Sequence, residues 1–172
     1  FLAGEGARFN PSADYYEDFV GERTFKVYPG STGDSNYPVA FGLRDDHYDW
    51  SINQVAVVVR VGDDKQAGTS DDEFDWNIKD DGPSDAGVTV QVIVIAGPDG
   101  VPGTDDDYYM FDADNDGVDE KVIVGEDGIA GTKDDYYDKD VDGATGDERV
   151  YAGNDGIFDT SDDHYFDEVD GK

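Results

Sequence analysis

An eleven-residue segment recurs four times in this chain and limits what the rest can fold into. The copies are GDDKQAGTSDD from Gly62 to Asp72, GPDGVPGTDDD from Gly97 to Asp107, GEDGIAGTKDD from Gly125 to Asp135 and GNDGIFDTSDD from Gly153 to Asp163. All four keep Asp at the third position, Thr at the eighth and an Asp pair at the tenth and eleventh. Lys65 stands for the second Gly in the first copy, and Asp159 for the third Gly in the fourth. Each copy follows a β-branched run (VVVRV, VIVIA, KVIV, RVYA) and precedes an aromatic one (EFDW, YYMF, YYD, HYF), a pattern that reads strand, loop, strand. A hairpin turn needs only about two to five residues, so a loop of this length with a fixed hydroxyl and fixed carboxylates does more than reverse the chain.

The last three copies begin 28 residues apart, and a second acidic segment lies between them. It reads DADNDGVDE from Asp112 to Glu120 and DKDVDGATGDE from Asp138 to Glu148, with a weaker version, FDEVDGK, at the C-terminus. Upstream, Val55, Val57, Val59 and Val61 share one strand face, as do Val88, Val90, Val92 and Val94, because side chains alternate along a strand. Ala56, Val58, Ile93 and Ile95 make the opposite faces apolar too, which predicts strands covered on both sides. Shorter strands are expected at 24–28 and 38–43, and an irregular arm over the first two dozen residues. No stretch has apolar residues at helical spacing, and Gly or Asp-Gly punctuates the chain. The expected fold is therefore all-β. A sandwich-like part with an N-terminal extended arm occupies residues 1–96, and a β-meander of short strands joined by metal-binding loops occupies 97–172.

Composition supplies the chemistry. The 172 residues include 43 acids against 12 bases, and 35 of the acids are Asp, giving a net charge of −31. Such a charge repels itself in a compact state unless cations offset it. Nucleic acid and anionic membrane surfaces are not expected as partners, because phosphate binding needs clustered Lys and Arg. With no Cys, neither disulfides nor thiolate metal sites are available. No apolar stretch approaches the roughly 20 residues of a membrane span. The chain begins Phe1-Leu2-Ala3-Gly4, as expected of an exported protein cleaved from a signal sequence. No nucleophile–base pair stands out. His47 and His164, in DDHYDW and DDHYFD, lie among acids, as solvated residues do, and a chain this acidic acquires pairs such as Asp45-Asp46 by chance. Trp50, Trp76 and the Tyr doublets are candidates for a sugar platform or for cross-strand packing.

Calcium takes six to eight oxygen ligands at about 2.3–2.6 Å. A loop folded by its glycines can supply them from short Asp side chains and a Thr hydroxyl. The candidate ligands are Asp64, Thr69, Asp71 and Asp72; Asp99, Thr104, Asp106 and Asp107; Asp127, Thr132, Asp134 and Asp135; and Asp155, Thr160, Asp162 and Asp163. In the intervening segments, D-x-D-x-D-G matches the first half of an EF-hand calcium loop, but Ile123 replaces the twelfth-position Glu. Residues 97–172 thus resemble the EF-hand-like Asp-rich loops of thrombospondin type 3 repeats and of secreted bacterial surface proteins. That resemblance implies several calcium ions stiffening an extracellular fold, with Asp112, Asp114, Asp116, Glu120, Asp138, Asp140, Asp142 and Glu148 as ligands. The function expected from these features is a structural subunit of an extracellular homopolymer (a filament, pilus-like fibre or surface layer) joined by strand exchange through the N-terminal arm. The alternative is an adhesion or carbohydrate-binding module.

Overall fold

A computed structural model describes residues 16–20, 23–28, 46–80, 88–139 and 148–167. Among them are eleven strands and no helix: β1 (Tyr16–Val20), β2 (Arg23–Tyr28), β3 (His47–Ile52), β4 (Val55–Arg60), β5 (Glu73–Asp80), β6 (Val88–Ile95), β7 (Tyr108–Phe111), β8 (Glu120–Ile123), β9 (Tyr136–Lys139), β10 (Glu148–Tyr151) and β11 (His164–Asp167). Contacts divide the chain into two compact units, residues 1–75 with 95–102 and residues 76–94 with 103–172. In the first, β1 to β4 and the start of β5 lie side by side in chain order; in the second, the rest of β5 and β6 to β11 do the same. The registered pairs are antiparallel, for example Tyr48↔Val59, Tyr109↔Val122 and Val150↔Tyr165. The fold is thus an all-β meander. In the part expected to be sandwich-like, the described strands follow a single sheet order rather than forming two facing sheets.

Alternation decides which face is buried. On β4, Val57 and Val59 are buried, and Val61 follows them inward. The second residue after each of the first three loops (Phe74, Tyr109, Tyr137) is buried on its strand, as is Tyr48 at the same place on β3. The opposite faces are open, which corrects the expectation of strands covered on both sides: Ala56 is exposed, Val58 is 51% exposed and Ile93 50%. Val55 is also exposed, because it borders the β3–β4 turn, where Asn53 and Gln54 both have positive φ (48° and 71°). This is the two-residue geometry whose twist suits antiparallel strands.

The buried face is covered by the long loops. Their sixth residues, Ala67, Pro102, Ala130 and Phe158, are all buried. In the first unit the Trp50 indole N–H donates to the Pro102 carbonyl at 2.9 Å. In the second, Phe158 meets Tyr137 edge-on, ring centres 5.4 Å apart, and a Cβ added to Gly131 would fall 2.8 Å from Ile78 Cγ2. The expected strand at 24–28 is β2. Tyr16–Val20, expected within an irregular arm, is a strand paired with β2. The arm before residue 16 and the strand expected at 38–43 lie outside the described residues, as does most of the C-terminal FDEVDGK.

Candidate metal-binding loops

The four eleven-residue loops share one hydrogen-bond scheme, and their acids are its acceptors. The third-position carboxylate accepts the fifth amide: Gln66 N–H to Asp64 (2.8 Å), Val101 to Asp99 (2.7 Å), Ile129 to Asp127 (2.9 Å) and Ile157 to Asp155 (3.0 Å). This is the local turn that Asp forms readily. The Thr hydroxyl lies 2.7–2.8 Å from Oδ1 of the tenth residue in every copy: Thr69 to Asp71, Thr104 to Asp106, Thr132 to Asp134 and Thr160 to Asp162. The other oxygen of Asp71 and Asp134 accepts the amides of Asp64 and Asp127, and that of Asp162 accepts the Asn154 amide. At Asp134, burial pushes the carboxyl up, but the Thr132 and Asp127 hydrogen bonds outweigh it and hold the group below its ordinary value.

Two backbone positions carry the loop's shape. The fourth residue has φ between 65° and 70° in all copies, Lys65 included, and the seventh between 60° and 86°, Asp159 included. Both sequence exceptions therefore keep the left-handed conformation that glycine adopts without steric cost. Gly at the fourth position also answers a close approach to the preceding loop. In the first unit a Cβ on Gly100 would lie 2.3 Å from the Gly68 carbonyl oxygen. In the second, Gly128 would meet that of Gly103 at 2.1 Å and Gly156 that of Gly131 at 2.5 Å.

The eleventh residue is buried. Asp72, Asp107 and Asp135 are fully shielded and accept the amides of Gly68, Gly103 and Gly131 at 2.7–2.8 Å. Asp72 also accepts the Tyr48 phenol (2.6 Å) and Asp135 the Tyr109 phenol (2.9 Å). Burial raises Asp72 to about 6 and Asp135 to about 7, the hydrogen bonds pulling the other way. Asp163, in the last loop, is only half-buried, and Tyr165 beyond it is 57% exposed.

Asp46 is a fifth member that was absent from the candidate set. It is fully buried, and its carbonyl accepts the Val61 amide (2.8 Å), as Asp72 accepts Ala96, Asp107 accepts Val124 and Asp135 accepts Ala152. The signal was in the sequence: DDHY at 45–48 repeats the DDHY that closes the fourth loop at 162–165.

The Asp112–Glu120 connection is built differently. Asp112, Asp114 and Asp116 can each place a carboxylate oxygen within 4.8 Å of the others, the one such trio of acids or histidines among the described residues. Ligands 2.3–2.6 Å from one calcium are at most about 5 Å apart, so the spacing fits that ion. Oδ2 of Asp112 accepts the Gly117 amide at 3.0 Å, across the bend that Gly117 makes at φ 91°. Oδ1 of Asp112 is buried and accepts no hydrogen bond among the described residues. A buried carboxylate oxygen left bare is costly unless a cation compensates it. Glu120 receives the Ala113 amide at 2.8 Å, and its pKa is raised by burial and then by Asp114 and Asp116. Lys139 Nζ lies 2.9 Å from Asp114 Oδ2.

Strand register re-aligns the second acidic segment. Phe111 pairs with Glu120 and Lys139 with Glu148, so Asp138 is a strand residue equivalent to Met110, and the Arg149 side chain pairs with it at 2.8 Å. Asp140 and Asp142 then correspond to Asp112 and Asp114, while Ala144 takes the place of Asp116; residues 140–147 themselves lie outside the described set.

Of the remaining candidates, His47 packs its ring 5.8 Å from Tyr28 and His164 is exposed. A cavity of about 280 Å³ is lined by Tyr136 and Tyr151 together with Asp105, Glu126 and Asp134. No family model, curated protein or solved structure matches the chain.

Proposed function

We propose that the chain is a calcium-stabilised structural subunit of an extracellular homopolymer, a filament, pilus-like fibre or surface layer, with calcium held by Asp112, Asp114 and Asp116 and Glu120 beside them. The observation that carries the calcium reading is the buried Oδ1 of Asp112, which accepts no hydrogen bond among the described residues, next to two further carboxylates. The ion would contribute folding free energy, because it ties together oxygens that otherwise repel. Self-association is supported by β11, which ends the sheet order among the described strands and so offers an edge for an added strand, with Tyr165 and Phe166 both more than half exposed.

Electron microscopy of the native protein with and without a chelator tests both parts. Polymers are expected in calcium and should be lost on chelation. Deleting residues 1–15, which leaves β1 in place, is expected to abolish polymers and preserve a folded monomer. Monomers under every condition would overturn the polymer.

The second reading, a glycan-binding module, is favoured by the cavity at Tyr136 and Tyr151, whose rings lie 5.4 Å apart amid acids. Selective, calcium-dependent glycan binding by the monomer would establish it in place of the first.

A further inference from the structure

We infer that Lys139 sets the calcium affinity of the Asp112–Asp116 cluster, occupying Asp114 as a tethered monocation that the metal must displace; this rests on the calcium reading above. Lys139 ends β9, and its ammonium donates to Asp114 Oδ2 at 2.9 Å. Asp114 is one of the three residues able to bring an oxygen to a common centre, so an ion there and the ammonium compete for the same carboxylate. The ammonium is an incomplete substitute. It reaches Asp114 but leaves Oδ1 of Asp112 buried without a hydrogen bond among the described residues, and one positive charge faces Asp112, Asp114, Asp116 and Glu120.

Nothing in the strand requires a lysine at this place. Lys139 pairs with Glu148 as Phe111 pairs with Glu120 in the preceding hairpin, so the same register position is filled there by an apolar ring. Its side chain is 41% exposed, and an ammonium released from Asp114 can pass into water. Calcium contributes two charges and several ligand bonds where Lys139 contributes one charge and one hydrogen bond, so the metal displaces the lysine at an affinity penalty.

The test is calorimetric titration of the full-length chain with calcium chloride at low ionic strength, comparing Lys139→Gln, Lys139→Arg and Lys121→Gln. Lys121 stacks over the Tyr108 ring at 3.9 Å, and its substitution makes the same change in net charge. Lys139→Gln is expected to bind calcium roughly two- to fivefold tighter, the range set by one exposed ion pair, with Lys139→Arg close to the unaltered chain and Lys121→Gln shifted less. In parallel, acylation of Lys139 by an amine reagent should become faster when calcium is added. Equal shifts in Lys139→Gln and Lys121→Gln, no shift, or weaker binding in Lys139→Gln would each overturn the inference while leaving the calcium reading intact. If the unaltered chain binds no calcium, the reading itself fails and the inference falls with it.

Discussion

The loop from Gly125 to Asp135 and the connection from Asp112 to Glu120 are both Asp- and Gly-rich segments between antiparallel strands, yet their buried carboxylate oxygens are not equally satisfied. In the loop, Asp127, Asp134 and Asp135 accept backbone amides and a Thr hydroxyl, and Asp135 takes a phenol as well. The loop is closed by hydrogen bonds of its own. In the connection, Asp112, Asp114 and Asp116 also accept backbone amides, but their carboxylates converge, and the buried Oδ1 of Asp112 accepts no hydrogen bond among the described residues. Acid count therefore says little about metal; what separates the two is whether every buried oxygen already has a donor.

The sharpest way to break the comparison is through its glycines. Gly128→Ala places a Cβ 2.1 Å from the Gly103 carbonyl at φ 68°, where backbone must move; the expected loss is about 3 kcal/mol or more, at the upper end for single substitutions. Chemical denaturation measures it. A loss under about 1 kcal/mol would mean the loops are not packed on one another as described.

The next effect is on pH dependence. Asp135 is raised to about 7 by burial, so its protonated form is the one the fold prefers. A carboxyl raised on folding contributes stability that is fully present below its unfolded value, near 4, and is lost as pH rises through about 7. Asp135→Asn keeps acceptors for Gly131 and Tyr109 and gives up the long Gly125 and Thr132 contacts (both 3.4 Å). Its stability relative to the unaltered chain should therefore rise by a few kcal/mol between pH 4 and pH 8. Thermal melts across that range give the difference; parallel curves would show that Asp135 is comfortable as an anion.

The smallest effect belongs to the connection. Gly117 has φ 91°, but a Cβ there would meet nothing within 4 Å, so Gly117→Ala is expected to cost only about 1 kcal/mol, from backbone strain. A cost matching that of Gly128→Ala would erase the distinction between a packed loop and an open one.

Much of the architecture was legible in the sequence, but the division between loop and connection was not, since both were expected to bind calcium. The four loops, their flanking strands and the all-β class follow from the repeat, and even the exceptions Lys65 and Asp159 sit where the register requires φ near 60°. What escaped was whatever depends on partners distant in sequence. Apolar residues on both faces of β4 and β6 cannot say which face the loops cover, and Val58 and Ile93 turned out to face solvent. Strand β3, HYDWSI, was not among the expected strands although Tyr48, Trp50 and Ile52 alternate with polar residues, and its Asn53–Gln54 turn lacks the glycine that marks such turns. The D-x-D-x-D-G at 138–143 reads like that at 112–117, but cross-strand pairing puts Asp138 into β9 beside Arg149. Within the loops, spacing showed which acids recur and could not show that their donors were already there.

The most direct test is to follow backbone amide resonances of the full chain as calcium is added at low ionic strength. The proposed calcium site predicts shifts concentrated at Asp112–Glu120 and Lys139, with the Gly68, Gly103 and Gly131 amides, already donating to Asp72, Asp107 and Asp135, left nearly unchanged. Shifts centred on those three glycines, or none at Asp112–Glu120, would contradict it.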